Sequence, residues 1–259
     1  MLITVLAENS HIRAVGFEGE EIRFHASVQT EPRQTSDYYI LMLTQLFTLY
    51  GVSGERITGV VLASVVPQLT PTLIDALARI AGSRHKLLSL SSGIKTGLNI
   101  QMENPAQIGS DLIVAAVAAL SRFEPPLIII DMGTATTITA IDKTGTYVGG
   151  CISPGPKISA EALSARTAQL PAISLESPKK AIGKNTIDAM RSGVMLGSAC
   201  MVDGMIDRID AELGGGATVV ATGGIARFVL PMCRHAIEYD RDLLLKGLAL
   251  LYENNRREK

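Results

Sequence analysis

Hydrophobic positions in this chain fall into short apolar runs that stop at glycine, proline or hydroxyl-rich turns. These alternate with longer segments in which apolar residues recur every three or four positions. Residues 2–5 form the first run and lead into Leu6-Ala7-Glu8-Asn9-Ser10. Residues 12–17 and 22–28 read as two more short strands, separated by the turn Glu18-Gly19-Glu20. The same order returns half a chain later. Residues 127–130 are an apolar run ending in Asp131-Met132-Gly133-Thr134-Ala135-Thr136-Thr137, followed by a strand over 138–141, the turn Lys143-Thr144-Gly145 and a strand over 147–152. A strand, loop, strand, turn, strand unit repeated at this offset predicts an internal duplication.

Helical spacing follows each unit. Ser36 is placed to cap a helix carrying Tyr39, Leu43, Leu46 and Tyr50 on one face. Residues 57–66 read as a buried strand stopped by Pro67, then a helix over 71–80 and a short strand over 86–90. Asn104-Pro105 reads as the cap and first-turn proline of a helix reaching Leu120. Beyond the second unit, residues 159–169, 185–213, 225–230 and 242–254 are helical in pattern, and 218–221 is a strand. The pattern predicts an α/β protein of two lobes, residues 1–123 and 124–259, with a cleft between the two turn-bearing loops.

Composition narrows the function classes. The 259 residues are 47% hydrophobic and 19% charged, which excludes disorder and suits two cores rich in aliphatic side chains. A formal net charge of -1 removes any general attraction to nucleic acid or to an anionic membrane. Cys151, Cys200 and Cys233 have neither paired spacing nor histidine neighbours, so three reduced thiols are expected and no zinc site. The chain starts in a strand pattern and no apolar run reaches membrane-spanning length, so the expected location is cytoplasmic.

The chemistry concentrates at the second loop. Asp131 ends a buried run and is followed by a glycine and by hydroxyl-bearing residues, which suits a cation and a phosphate: the carboxylate holds the cation and glycine lets backbone N–H groups approach the anion. The alternative is an acid that caps a turn. The first loop is a weaker copy, with leucine at the aspartate position and glutamate at the glycine position.

The segments DMGTATT, Ser64-Val65-Val66-Pro67-Gln68-Leu69-Thr70, Gly93-Ile94-Lys95-Thr96-Gly97-Leu98, Asn104-Pro105 with Gly109 and Asp111, Gly149-Gly150-Cys151-Ile152-Ser153-Pro154-Gly155, Gly183-Lys184-Asn185-Thr186 and Thr222-Gly223-Gly224 are collinear. In that order the chain resembles the type III pantothenate kinases over nearly its whole length. The resemblance implies an actin-like ATPase fold of two duplicated ribonuclease H-like domains, and transfer of the γ-phosphate of ATP to the primary alcohol of pantothenate. It also implies Mg²⁺, a monovalent cation (K⁺ or NH₄⁺) and a homodimer.

Residue by residue, the resemblance implies Asp111 as the catalytic base and Asp131 as the metal ligand. Asn9, Ser10, Gly133, Thr134, Ala135, Thr136, Thr222, Gly223 and Gly224 would hold the nucleotide, and Gly93, Lys95, Gly109 and Thr186 the substrate. Each has a plainer reading beside it. An acid early in a helix favours the helix dipole, a threonine after Asn185 starts a helix, a Thr-Gly-Gly run joins a strand to a helix, and Lys95 is a loop lysine.

Three positions depart from the family at the chemistry. Leu6 stands where members carry aspartate, Glu8 where they carry glycine, and Leu112 where they carry an arginine that contacts the substrate. Leucine offers no metal ligand, glutamate brings negative charge and a Cβ to a phosphate loop, and leucine cannot clamp a carboxylate. Leu112 also extends an apolar stripe with Ile108, Ala115 and Ala119, so it reads equally as core. Asn99 and Met102 depart as well and suggest a changed pocket. Three readings follow: an impaired pantothenate kinase, a non-catalytic paralogue that senses a ligand or regulates a partner, and a kinase for an uncharged alcohol.

Overall fold

A computed structural model describes residues 1–83, 86–90 and 94–256. By packing, the chain forms two compact units. One comprises Met1–Gly97, Ala106–Ala118 and the segment from Leu243 onward, and the other Leu98–Pro105 and Ala119–Asp242.

The first unit is built on a five-stranded sheet. Strands β1 (Leu2–Ala7), β2 (His11–Glu18) and β3 (Glu21–Gln29) form an antiparallel meander, and β4 (Gly59–Ser64) and β5 (Leu87–Ser89) join parallel on the other side of β1, giving the order β3-β2-β1-β4-β5. Helices α1 (Ser36–Leu49) and α2 (Thr70–Ile80) cover one face. Ile3, Val5, Ala7, Ile12, Ala14 and Phe24 meet Tyr39, Leu43 and Phe47 of α1 and Leu73, Ala76 and Leu77 of α2 there. Each fully buried aliphatic or aromatic side chain contributes about 1.5–3 kcal/mol. The first cap is Thr35 and not Ser36: its side chain accepts from the Tyr38 N–H, which Ser36 cannot do from inside the first turn.

Helices α3 (Ser110–Leu120) and α8 (Leu243–Arg256) bring distant sequence to this unit. A Cβ at Gly247 would lie 2.6 Å from the Val114 carbonyl, so the glycine lets α8 close on α3. Tyr252 of α8 donates to the Thr58 carbonyl beside β4. The helix expected to run unbroken from Pro105 is interrupted. Pro105–Gln107 form a single 3₁₀ turn and α3 starts at Ser110, because the amides of Leu112 and Ile113 both turn to the Gly109 carbonyl.

The second unit repeats the plan. Strands β6 (Leu127–Met132), β7 (Ala135–Ile141) and β8 (Tyr147–Pro154) form the meander, and β9 (Thr218–Thr222) and β10 (Glu238–Tyr239) add parallel, giving β10-β9-β6-β7-β8. Read outward from the central strand this is the order of the first sheet, so the duplication inferred from the pattern is present in the topology. The fold is α/β with two five-stranded mixed sheets. β10 had no signal in the sequence, being two residues long.

Around the second sheet pack α4 (Pro156–Arg166), α5 (Thr186–Arg191), α6 (Gly197–Glu212) and α7 (Ala226–Val229). The expected helix over 185–213 forms with Asn185 as its cap, but residues Ser192–Leu196 take a π-helical turn that separates α5 from α6. Met190 and Met195 are buried, Met195 in the core of this unit with Ile128, Ile130, Val194, Ala199 and Val202. Among the described residues no helix is long and apolar enough to cross a membrane.

Candidate functional site

The duplication lets the two loops be compared by register. Leu6 pairs with Arg13 across the first hairpin and lies beside Ala63 on the parallel side. Asp131 pairs with Thr137 and lies beside Thr222. Leu6 and Asp131 therefore occupy the same place in the two sheets. Leu6 is 0% exposed, so the first unit has packed an apolar side chain where the second offers a carboxylate. The first hairpin is also one residue longer, closed by the Glu8 amide on the His11 carbonyl at 2.9 Å. The second is closed by Gly133 on Ala135 at 3.0 Å.

The first loop satisfies its own polar groups. Arg13 Nε donates to Glu8 Oε2 at 2.8 Å, Thr30 Oγ1 donates to the Glu8 carbonyl at 2.6 Å, and the Thr30 amide donates to the Ser10 carbonyl at 3.0 Å. Asn9 is exposed at the tip and Ser10 is half-buried. Mg²⁺ at this loop does not fit: the register position offers leucine, and the loop's own carboxylate, Glu8, is held by the Arg13 guanidinium. Arg13 was missed in the sequence, where an arginine in the apolar run Ile12-Arg13-Ala14-Val15 was the signal available.

The second loop is different in kind. Asp131 and Met132 still belong to β6 and Ala135 already to β7, so only Gly133 and Thr134 make the turn. Gly155 closes on it: its amide donates to the Thr134 carbonyl at 3.1 Å, and a Cβ there would lie 2.5–2.6 Å from the Thr134 and Gly133 carbonyls. Gly223 closes from the other side. Its φ is +96°, and a Cβ would lie 2.5 Å from the Met132 carbonyl and 2.7 Å from Asp131 Oδ1. Tyr239 Oη donates to the Gly223 carbonyl at 3.1 Å, a contact that no motif announced. Asp131, Gly133, Thr134, Gly155, Gly223 and the exposed Gly224 thus come together at one end of β6 and β9. One carboxylate beside glycine-lined backbone fits a cation that keeps its waters and shares phosphate oxygens. Thr222 is fully buried and donates to the Arg241 carbonyl. Thr136 lies on the Met132 face, 1% exposed, with its Oγ1 unpartnered among the described residues.

Gly223→Ala is expected to destabilise the second unit by roughly 2 kcal/mol or more, because it combines a positive φ with a backbone collision. A thermal unfolding scan checks this, and nucleotide affinity should fall with it.

In the first unit, Asp111 opens α3. The Leu112 amide donates to Asp111 Oδ1 at 3.0 Å, and the carboxylate folds back so closely on Gly109 that a Cβ there would collide with Oδ1. Burial pushes the Asp111 carboxyl above its ordinary range, partly opposed by hydrogen bonds from the Leu112 amide and its own. A raised carboxyl is the stronger proton acceptor once ionised, which is what a general base requires. Leu112 is half-buried, whereas Ala115 and Ala119 of its stripe are buried. Lys95 is exposed, its carbonyl accepting from Asn255 Nδ2 at 3.0 Å. Gly93 lies outside the described residues.

Thr186 sits in the second unit, exposed on a shallow groove of about 500 Å³ lined by Leu163, Leu170, Gly183, Lys184, Asn185, Ala189, Met190 and Gly193. Gly183 is pressed against the Ala189 amide, which leaves no room for a side chain. The π turn carries Gly193 to the groove, and such turns recur at functional sites.

Comparison with known proteins identifies the family. The family model for type III pantothenate kinase matches residues 2–208. A type III pantothenate kinase of Moorella thermoacetica is 42% identical over 255 residues, covering 98% of this chain and 100% of that one. One from Brevibacillus brevis is 42% identical over 259 residues, covering 98% and 99%. Among solved structures, the activator of the 2-hydroxyisocaproyl-CoA dehydratase from Clostridium difficile with bound ADPNP superposes with a TM-score of 0.58 at 14% identity, covering 99% of this chain and 96% of that one. That likeness bears on the fold alone. With the family model spanning most of its length and relatives aligned nearly end to end, the chain belongs to the type III pantothenate kinase family.

Proposed function

We propose that this chain is an ATP-dependent pantothenate kinase of coenzyme A biosynthesis whose phosphoryl transfer is slowed by its first loop. Family membership supports the substrate and the nucleotide. The observation that carries the slowing is Leu6, wholly buried at the place where the second sheet has Asp131. Phosphoryl transfer is mostly positioning and charge neutralisation, so losing one organising carboxylate removes a principal source of acceleration.

In this reading Asp111 takes the proton of the substrate hydroxyl, and its burial keeps it basic. Gly133, Thr134, Ala135, Thr136 and the Thr222-Gly223-Gly224 turn are assigned to nucleotide binding, as are Asn9 and Ser10. Asp131 holds Mg²⁺ or the monovalent cation, which supplies charge neutralisation when bound. Gly93, Lys95, Gly109 and Thr186 belong to the substrate site. A cytoplasmic homodimer completes the proposal.

The second reading, a non-catalytic paralogue that senses a ligand or regulates a partner, is favoured by the Glu8–Arg13 pair, which closes the first loop on itself. A coupled assay of ADP release with and without pantothenate separates the two. Slow pantothenate-dependent turnover, below the roughly 1 s⁻¹ at the lower end for kinases, supports the kinase reading. None at any enzyme concentration supports the paralogue, and a rate above that level overturns the slowing.

A further inference from the structure

The first loop departs from the second in two linked ways: a carboxylate is missing at position 6, and a cation is present directly across from it. Arg13 is the register partner of Leu6, and directly opposed residues of an antiparallel pair present their side chains on the same face. The arginine is thus rooted beside the place where the second sheet has its carboxylate. In the second sheet that partner is Thr137, which carries no charge.

We propose that Arg13 is a phosphate-binding residue that takes the place of a metal ion at the first loop, and that Glu8 competes with the nucleotide phosphates for it. This rests on the nucleotide-binding reading above. The guanidinium has five N–H donors in a planar fork suited to phosphate oxygens, and among the described residues its side chain spends one of them, Nε, on Glu8. The pair is within reach of a ligand, with side-chain exposures of 22% for Arg13 and 24% for Glu8. Glu8 is tethered by its backbone, with its amide on His11 and its carbonyl under Thr30. Its carboxylate can therefore swing off the guanidinium without opening the turn. A phosphate that replaces it gives Arg13 a more highly charged, bidentate partner. One substitution pattern then explains both departures at the loop: a carboxylate that would organise a metal is gone, and a fixed cation with its own counter-ion is present.

The test is titration of the full-length protein with ATP, in Mg²⁺ and in EDTA, using the unmodified chain, Glu8→Gln and Arg13→Gln, each checked for folding by thermal unfolding. The proposal expects ATP binding to persist in EDTA. There, Glu8→Gln should tighten it and Arg13→Gln weaken it by about tenfold or more, the scale of one charge-assisted contact. If Arg13→Gln does not fold, the tightening by Glu8→Gln in EDTA carries the test. ATP binding that vanishes in EDTA in both the unmodified chain and Glu8→Gln overturns the proposal and leaves the kinase reading intact. Binding indifferent to both substitutions does the same. Absence of ATP binding in Mg²⁺ and in EDTA alike overturns the nucleotide reading itself, and this inference with it.

Discussion

Leu6→Asp, Glu8→Gly and Leu112→Arg introduced together are expected to raise pantothenate-dependent ADP formation by about a hundredfold or more, the scale on which single electrostatic groups act in such sites. The gain should be strongly non-additive. Leu6→Asp alone places a carboxylate at a position with no solvent exposure while the facing Arg13 is already held by Glu8, so it should cost several kcal/mol of stability and return little activity. Adding Glu8→Gly releases Arg13, which lies across from the introduced aspartate in register and can neutralise it. It also removes the Cβ and the charge from the turn. The double variant should therefore be more stable than the sum of the single effects, and its nucleotide binding should become Mg²⁺-dependent. Leu112→Arg then supplies a cation beside Asp111 for the substrate carboxylate. Chemical denaturation of Leu6→Asp, Glu8→Gly, the double and the triple variant, with steady-state kinetics, checks both halves. A folded triple variant that binds both ligands and stays inert would locate the defect elsewhere.

The second large effect belongs to Asp111→Asn. In the restored background it should lower turnover by about a hundredfold to ten-thousandfold, as expected for a general base, with little change in nucleotide affinity. Its pH dependence follows from burial. Because the folded-state carboxyl is pushed up, the ionised base is lost as pH falls at a point above the ordinary carboxylate range, and the acid limb of the rate profile should lie there and disappear in the variant. Stability runs the other way. A carboxyl that is harder to ionise when folded costs nothing below its unfolded pKa, where both states are protonated, and its cost grows as pH rises through the folded value. Asp111→Asn should thus be more stable than the unmodified chain at neutral pH, with the advantage fading in acid. Thermal unfolding at a series of pH values reads this directly, and equal stabilities throughout would mean that Asp111 is solvated.

The departures at Leu6, Glu8 and Leu112 are read from short motifs alone, and the triple variant is their test. The duplicated meander was legible, since β-strands of period two and tight glycine turns are local signals. So was the Asn185 cap, where one side chain satisfies an amide three residues on. Other local features were hidden. The break between Pro105 and Ser110 depends on the Leu112 and Ile113 amides meeting the Gly109 carbonyl, and the π turn over Ser192–Leu196 carries no motif of its own.

By itself, then, the sequence determined the α/β class, the repeat and the family, all of which follow from local periodicity and from short motifs. Tertiary structure alone decided that Leu6 is buried at the register position of Asp131, that Arg13 faces it and holds Glu8, that Gly155 and Gly223 close on the second turn, and that α8 packs with the first unit. Each of these joins residues through strand pairing or helix packing across sequence separations that a local pattern does not encode. Contact of that kind is fixed only when the sheet closes and buries its faces, which is why the charge balance of the first loop became visible in the fold and not in the chain.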